Sequence, residues 1–597
     1  MPGHNIDRIL FKIIRWKEKF FSQKQFIVLL SAVIGFAAGL VAVILKNLSY
    51  LIQALIENGL SYYFEDVYYF IFPIIGLSLT YVVLKYVFKA RIGQGISSTL
   101  FAISQRKGFV KRVQSYASLI AAPLTVGLGG SVGLESPTVA TSAGMGSILS
   151  RYFKVNQATR TLLIGCAAAG AMSSLFKAPI AAIIFAIEIF ALDLTLASMI
   201  PLLVASVSAI LTSYFFFGSD IILQTQATTE FQIQDIFYYI LLGVVCAGFS
   251  LLFMNIYRKT FKVFERIKSK FNRVLIGGIS LSVLIFLFPQ LYGEGYPFMN
   301  QVLSGDFQFW NESHFNLGWE SVWALFGFFI LMIFFKIIAT SITISSGGVG
   351  GIFAPVLFVG CLIGSCFSFI IKQSNFISES FPYNNFALVG MAGLMSGVMH
   401  APLTAIFLIA EITSGYHLFI PLMVCTAISY GISHRFQKHS IYNIELAQRG
   451  QLVTHDKDET VLGFLEINKL IEKNFVVLHI DMTLGEIVEK GVMKSSRNLF
   501  PITDEKQQFK GILLLDDIRG VMFKHEMYDS VFVRELMQTA PDIINLHDCN
   551  AKVVMKKFKS TEAWNLPVVR NGKYVGFISK SKLLTAYRDK LVDLRLN

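Results

Sequence analysis

The stretch AGAMSSLFKAPIAAIIFAIEI at residues 169–189 returns as AGLMSGVMHAPLTAIFLIAEI at residues 392–412. The copies align without a gap and share Ala-Gly, Met-Ser, Ala-Pro, Ala-Ile and Glu-Ile at the same places. Chance similarity of apolar text does not keep Met, Ser, Pro and Glu in step. A second matched element lies upstream of each copy: Gly133-Leu134-Glu135-Ser136-Pro137 before the first and Gly351-Ile352-Phe353-Ala354-Pro355 before the second. The chain therefore holds two halves with the same elements in the same order. Hydrophobic segments interrupted by Gly and Pro at matching places in two halves point to a transport site near the bilayer midplane.

Bulk properties agree with that. Of 597 residues, 54% are hydrophobic and 15% charged, with a mean hydropathy of +0.58; soluble domains carry about a quarter charged residues. The runs Phe26–Leu45, Leu194–Phe217, Ile236–Met254 and Val274–Tyr292 are long and apolar. At about 1.5 Å per residue, each is long enough to cross a hydrocarbon core of roughly 30 Å. The expected class is an all-α polytopic membrane protein. Arg8, Lys12, Arg15, Lys17, Lys19 and Lys24 precede the first run against Asp7 and Glu18, which predicts a cytoplasmic N-terminus. Flanking charge of this kind accounts for most of the net +13, and no basic-aromatic pattern asks for nucleic acid. Cys166, Cys246, Cys361, Cys366 and Cys425 sit in apolar stretches with no CxxC pair, so they read as packing residues with no metal role.

The elements GLESP and GIFAP each break the preceding chain with glycine and place proline in the first turn of a new helix, where its missing N–H is not needed. A helix that begins at membrane depth leaves N–H groups unpaired beside the positive end of its dipole. Protein, water or a ligand must satisfy them, and an anion does so well. Two such starts, one from each half, are expected to converge on one dehydrated anion. Glu135 then has a purpose beyond an ordinary N-terminal cap. Its carboxylate competes for the ion's place, and protonation frees that place.

Composition changes after residue 450, and two similar α/β blocks follow, FPITDEKQQFKGILLLDDI and LPVVRNGKYVGFISKSKLL. The expected organisation is an N-terminal segment 1–24, a membrane domain 25–450, a linker 451–473, and blocks at 474–530 and 531–597. The blocks resemble a tandem of cystathionine-β-synthase-type (CBS) domains.

The membrane part resembles the CLC family of chloride channels and proton/chloride exchangers. Gly93-Gln94-Gly95-Ile96, Gly133–Pro137 and Gly351–Pro355 match family elements in order, and Tyr442 in HSIYNIELAQ falls on the family's pore tyrosine. The resemblance implies two inverted repeats of tilted, broken helices and a homodimer with one pore per subunit. It implies anion binding by Gln94, Gly133, Leu134, Ser136, Ile352, Phe353 and Tyr442, with Glu135 as the gating glutamate. Three departures bear on mechanism. Gln94 stands where chloride-selective members carry serine. Leu134 stands where a basic residue is usual. Ile189 occupies the place of the internal proton-relay glutamate, so that relay is lost, and Glu188 and Glu411 are expected to be structural.

The expected function is passage of chloride or a similar small anion across the cell membrane, tilted by Ile189 toward a channel-like or weakly proton-coupled mechanism. A proton-coupled antiporter is the alternative, and a CBS-bearing divalent-cation transporter a more distant one. No enzymatic arrangement is apparent. An adenine nucleotide in the CBS pair would fall to Asp517 and Ser579, each half of a signature whose other half, at Leu514 and Lys582, is missing.

Overall fold

The computed structural model describes residues 21–59, 67–89, 95–192, 195–218, 223, 231–305, 322–373, 383–413, 415–444, 462, 465, 467–547 and 550–596. The chain divides into two compact units, Met1–Arg449 and Gly450–Asn597.

The first unit is helical. Its first half contains α1 Gln23–Gly59, α2 Val67–Val82, α3 Gly95–Gln105, α4 Arg112–Gly127 and α5 Glu135–Tyr152. It continues with α6 Gln157–Phe176, α7 Pro179–Phe190 and α8 Leu196–Phe217. The second half runs through α9 Ile236–Glu265, α10 Lys270–Leu287, α11 Tyr296–Ser304 and α12 Val322–Ser346. It closes with α13 Phe353–Gln373, α14 Tyr383–Met399, α15 Pro402–Ile412 and α16 Phe419–Phe436. Among the described residues, eight helices are long and apolar enough to cross a membrane. The segments α7 and α15, with 12 and 11 residues, are not; at about 1.5 Å per residue they reach only part of the way.

The repeat is visible in the backbone. Helices α6 and α14 both end on a left-handed residue, Lys177 (φ 53°) and His400 (φ 56°). Ala178 (φ −123°, ψ 80°) and Ala401 (φ −129°, ψ 67°) follow, each before the proline that starts the next segment. Proline forbids the α conformation to the residue before it and is pre-set for the first helical position, so the Ala-Pro pairs make the breaks. Lys177 and His400 thus close the preceding helix in both halves.

Helices α7 and α15 pack against each other and exchange caps. Glu188, near the end of α7, accepts from the N–H groups of Leu403 (3.0 Å) and Thr404 (2.8 Å) and from the Thr404 hydroxyl. Glu411, near the end of α15, accepts from the N–H groups of Ile180 (3.0 Å) and Ala181 (2.8 Å). Each carboxylate meets the positive end of the partner helix, which requires the two segments to run antiparallel. That is the structural form of an inverted repeat. Close approach elsewhere depends on small residues: a Cβ on Gly364 would lie 2.0 Å from the Phe386 carbonyl oxygen, where α13 and α14 cross.

The second unit holds two matching three-stranded sheets. In the first, β1 (Leu478–His479) pairs parallel with β2 (Leu499–Thr503), which pairs antiparallel with β3 (Phe509–Leu514). In the second, β4 (Ile544–Asn545), β5 (Asn565–Arg570) and β6 (Lys573–Ser579) repeat the pattern, including a register shift at the equivalent place. The domains exchange edges. Gln538, in the second block ahead of its first strand, bridges Ile512 of β3, and Glu472, from the segment before the first block, bridges Phe577 of β6. Ile467 and Leu470 lie in the second core with Val554, Phe558, Leu566 and Ile578. The expected linker 451–473 is therefore not all linker: its last residues complete the second domain, because that sheet leaves an apolar face they cover.

Candidate functional site

The broken starts of α5 and α13 meet. Gly133 N–H donates to the Gly351 carbonyl at 2.9 Å and Gly351 N–H donates back to Gly133 at 2.8 Å. This two-bond bridge sets the two helix starts side by side. The first helical bonds of each come from residues past the proline, Thr138 to Leu134 (3.0 Å) and Val356 to Ile352 (2.9 Å). The earlier N–H groups have no helical acceptor. Pro137 and Pro355 remove one orphan donor from each first turn. The remaining donors concentrate positive potential from both dipoles in one place.

Glu135 sits there, 2% exposed. Its carboxylate turns back toward the bridge, so a Cβ on Gly133 would lie 1.9 Å from its Oε2. Ala354, from the other half, borders the same spot: the Cβ that Gly133 lacks would lie 3.1 Å from Ala354 Cβ. Oε1 accepts a hydrogen bond from the Tyr296 hydroxyl. Oε2 has no hydrogen-bond partner among the described residues. Tyr442 is also buried, faces Glu135 and Ser136, and has a hydroxyl without a hydrogen-bond partner among the described residues. Phe353, fully buried, packs against Phe176 (5.1 Å between ring centres) and Phe185 (6.4 Å) beside this spot. A carboxylate in such a place is expensive unless fixed dipoles replace its hydration; here the Tyr296 hydroxyl donates to it directly and the positive ends of the two helix starts add favourable potential.

The structure thus brings Gly133, Glu135, Ser136, Ile352, Phe353 and Tyr442 together, and it commits two expected donors elsewhere. The Gly133 N–H is spent in the bridge, and the Leu134 N–H donates to Glu294 Oε1 at 2.8 Å. Neither amide is open to an anion, because a backbone N–H has one proton to give. Gln94 lies outside the described residues, but Gly95 beside it touches this site. A Cβ there would stand 2.6 Å from the Ser136 carbonyl oxygen. Ile189 is buried on α7, and the adjacent Glu188 is occupied as a cap. In the second unit, Ser579 donates its hydroxyl to Glu472 Oε1 (2.8 Å). Asp517 accepts from Leu514 N–H (3.0 Å) and from the Gln538 side-chain amide (2.7 Å).

Three site residues escape a reading of the sequence: Glu294, Tyr296 and Lys336. A lysine inside the apolar run of α12, and a carboxylate between two glycines in Gly293-Glu294-Gly295-Tyr296, are the signals that could have marked them.

The voltage gated chloride channel family model matches residues 75–434, and the CBS domain model matches residues 466–524 and 533–589. A ClcB-like chloride channel protein of Ralstonia nicotianae is 28% identical over 381 residues, 63% of this chain and 85% of that protein. The H(+)/Cl(-) exchange transporter ClcA of Vibrio cholerae is 29% identical over 308 residues, 50% of this chain and 62% of that protein. Among solved structures, a eukaryotic CLC transporter matches with a TM-score of 0.59 at 16% identity, over 94% of this chain and 99% of that one. With more than half its length matched by the family model and paired helix starts at the site, the chain belongs to the CLC (voltage gated chloride channel) family of membrane anion transporters and carries a CBS-domain pair.

Proposed function

We propose that the protein carries chloride or a similar small anion through a pore in each subunit, and that Glu135 is its gate. The observation that carries this reading is the buried Glu135 carboxylate folded back onto the Gly133–Gly351 bridge, where the starts of α5 and α13 meet. An anionic side chain on opposed helix starts marks where a permeating anion is stabilised, and the two exclude one another by charge. A protonated Glu135 loses its claim on that place, so flux rises as the external solution is acidified.

Ile189, unable to carry a proton, favours a channel-like or weakly coupled mechanism over strict antiport. Chloride-loaded liposomes test both points. Valinomycin-dependent chloride efflux supports anion transport, and its absence at every pH removes the reading. Proton uptake driven by a chloride gradient in fixed ratio would establish the antiporter instead. The V. cholerae relative is named an exchanger, which makes that second arm necessary.

The subunit is read as half of a homodimer. Ile180 on α7, Ile200 and Leu203 on α8, Leu403 on α15, and Ile420 and Met423 on α16 are exposed apolar residues that a second copy or lipid would cover. The basic flank before α1 supports a cytoplasmic N-terminus, and the CBS pair is assigned to the same side, in a dimerising role.

A further inference from the structure

Tyr296 begins α11, and the loop before it returns to the gate from 160 residues away in sequence, as the spacing of Leu134 and Glu294 records. The loop is fastened from beneath. Lys336, fully buried on α12, donates through Nζ to the carbonyl oxygens of Gly293 (3.1 Å) and Leu291 (3.4 Å) and lies 4.9 Å from the centre of the Phe358 ring. Gly293 (φ 59°) and Gly295 (φ 89°) both take left-handed backbone, and a Cβ on Gly295 would meet Phe358 at 2.7 Å and Lys336 Nζ at 3.3 Å. Glycine is therefore required for the loop to lie this close to the lysine. The consequence is specific: Tyr296 donates to Glu135 Oε1, and Glu294 accepts from the residue just before the gate.

We propose that Gly293–Tyr296 is a latch on the Glu135 gate, with Tyr296 holding the Glu135 carboxylate in its blocking position and Glu294 standing in for an anion on the Leu134 N–H. This rests on the gate reading of Glu135. The tyrosine is the carboxylate's side-chain donor, and a hydrogen bond to an ionised acceptor is stronger than a neutral one. It has to break before the side chain leaves. A protonated Glu135 is a poorer acceptor, so the latch loosens as the gate titrates. Glu294, half-buried, fixes the backbone from which the gate hangs and adds negative charge to the anion's approach. Among the described residues, Lys336 of α12 and Lys46 and Tyr50 of α1 are further charged or titratable groups close enough to act on these carboxylates, and Tyr442 acts on Glu135. Tyr296 and Glu294 are positioning residues, acting through Glu135 and the Leu134 amide.

Chloride flux through liposomes reconstituted with the full chain tests the latch. Tyr296→Phe keeps the ring and its packing, and is expected to raise flux at pH 7.5 roughly tenfold, the size of one lost charge-assisted bond. It should also shrink the gain seen on acidification to pH 5. In a Glu135→Gln background the same change is expected to alter flux less than about twofold, since the latch then has no charged gate to hold. Glu294→Gln keeps an acceptor for Leu134 while removing the charge, and is expected to lower the half-saturating chloride concentration several-fold. Tyr296→Phe leaving flux and its pH profile unchanged, or changing flux equally with and without Glu135, overturns the latch while the gate stands. A Glu135→Gln protein with wild-type flux and wild-type pH dependence removes the gate reading itself.

Discussion

Gly133 and Gly351 hold each other by two backbone hydrogen bonds, 2.9 and 2.8 Å, although 218 positions separate them in the chain. This is the point where the two halves of the repeat join, one residue before Leu134 and one before Ile352. The bridge fixes the spacing of the helix starts, and so the size of the place they enclose.

The bridge tolerates no side chain on either partner. A Cβ on Gly351 would lie 2.6 Å from Ser136 Cβ and 3.2 Å from its backbone nitrogen. Gly351→Ala is expected to push α5 and α13 apart, cut anion flux by more than about tenfold, and cost about 1–3 kcal/mol of stability. Gly248→Ala, with nothing within 4 Å of its added Cβ, should change neither. Flux and thermal unfolding in detergent check both variants.

The reciprocal caps predict a different signature. Removing a cap from Glu188 or Glu411 by substitution with alanine should each cost about 1–2 kcal/mol, read as a lowered unfolding temperature. Flux per folded protein and its pH profile should stay at wild type. A shifted pH profile in Glu188→Ala would show that this carboxylate handles protons, contrary to its place at the start of α15.

Ser579 and Asp517 are both engaged within the second unit. Millimolar adenine nucleotide is therefore expected to leave the unfolding temperature of the full chain within 1 °C or so, far below the gain that saturation by a tight ligand gives. A saturable rise would reverse this and locate a nucleotide in the CBS pair.

In the tail, Lys557 Nζ lies 2.6 Å from Asp542 Oδ1, and that hydrogen bond holds the Asp542 carboxyl below its ordinary value. A carboxylate lowered in the folded state contributes stability that is present above its unfolded value, about 4. That contribution is lost as pH falls through the folded one. The pair is about a third exposed and so is worth no more than about 1 kcal/mol. Asp542→Asn is expected to remove this acid-sensitive part of the tail's unfolding curve between pH 5 and about 3, with little change at pH 7.

The sequence carries the helix starts plainly because Gly and Pro act locally. Ala178-Pro179 and Ala401-Pro402 dictate their own breaks, and their repetition announces two halves. The role proposed for Glu135 rests on its position at such a start. What stays hidden depends on long-range return of the chain. Nothing near Glu294 or Tyr296 in sequence says that the loop folds onto residues 134 and 135, and nothing near Lys336 says which carbonyl oxygens it will hold. The partners of Glu188 and Glu411 are likewise in the opposite half, so a structural role was legible but not the caps they make. The commitment of the Gly133 and Leu134 amides was equally out of reach, since both acceptors come from the second half.

The most direct measurement is anomalous diffraction from crystals of Glu135→Gln grown in bromide. The account predicts a bromide peak between the first turns of α5 and α13, within hydrogen-bond reach of the Ile352 and Phe353 amides and near the Tyr442 hydroxyl. Helix starts without bromide between them, in a protein that still moves chloride, would contradict it.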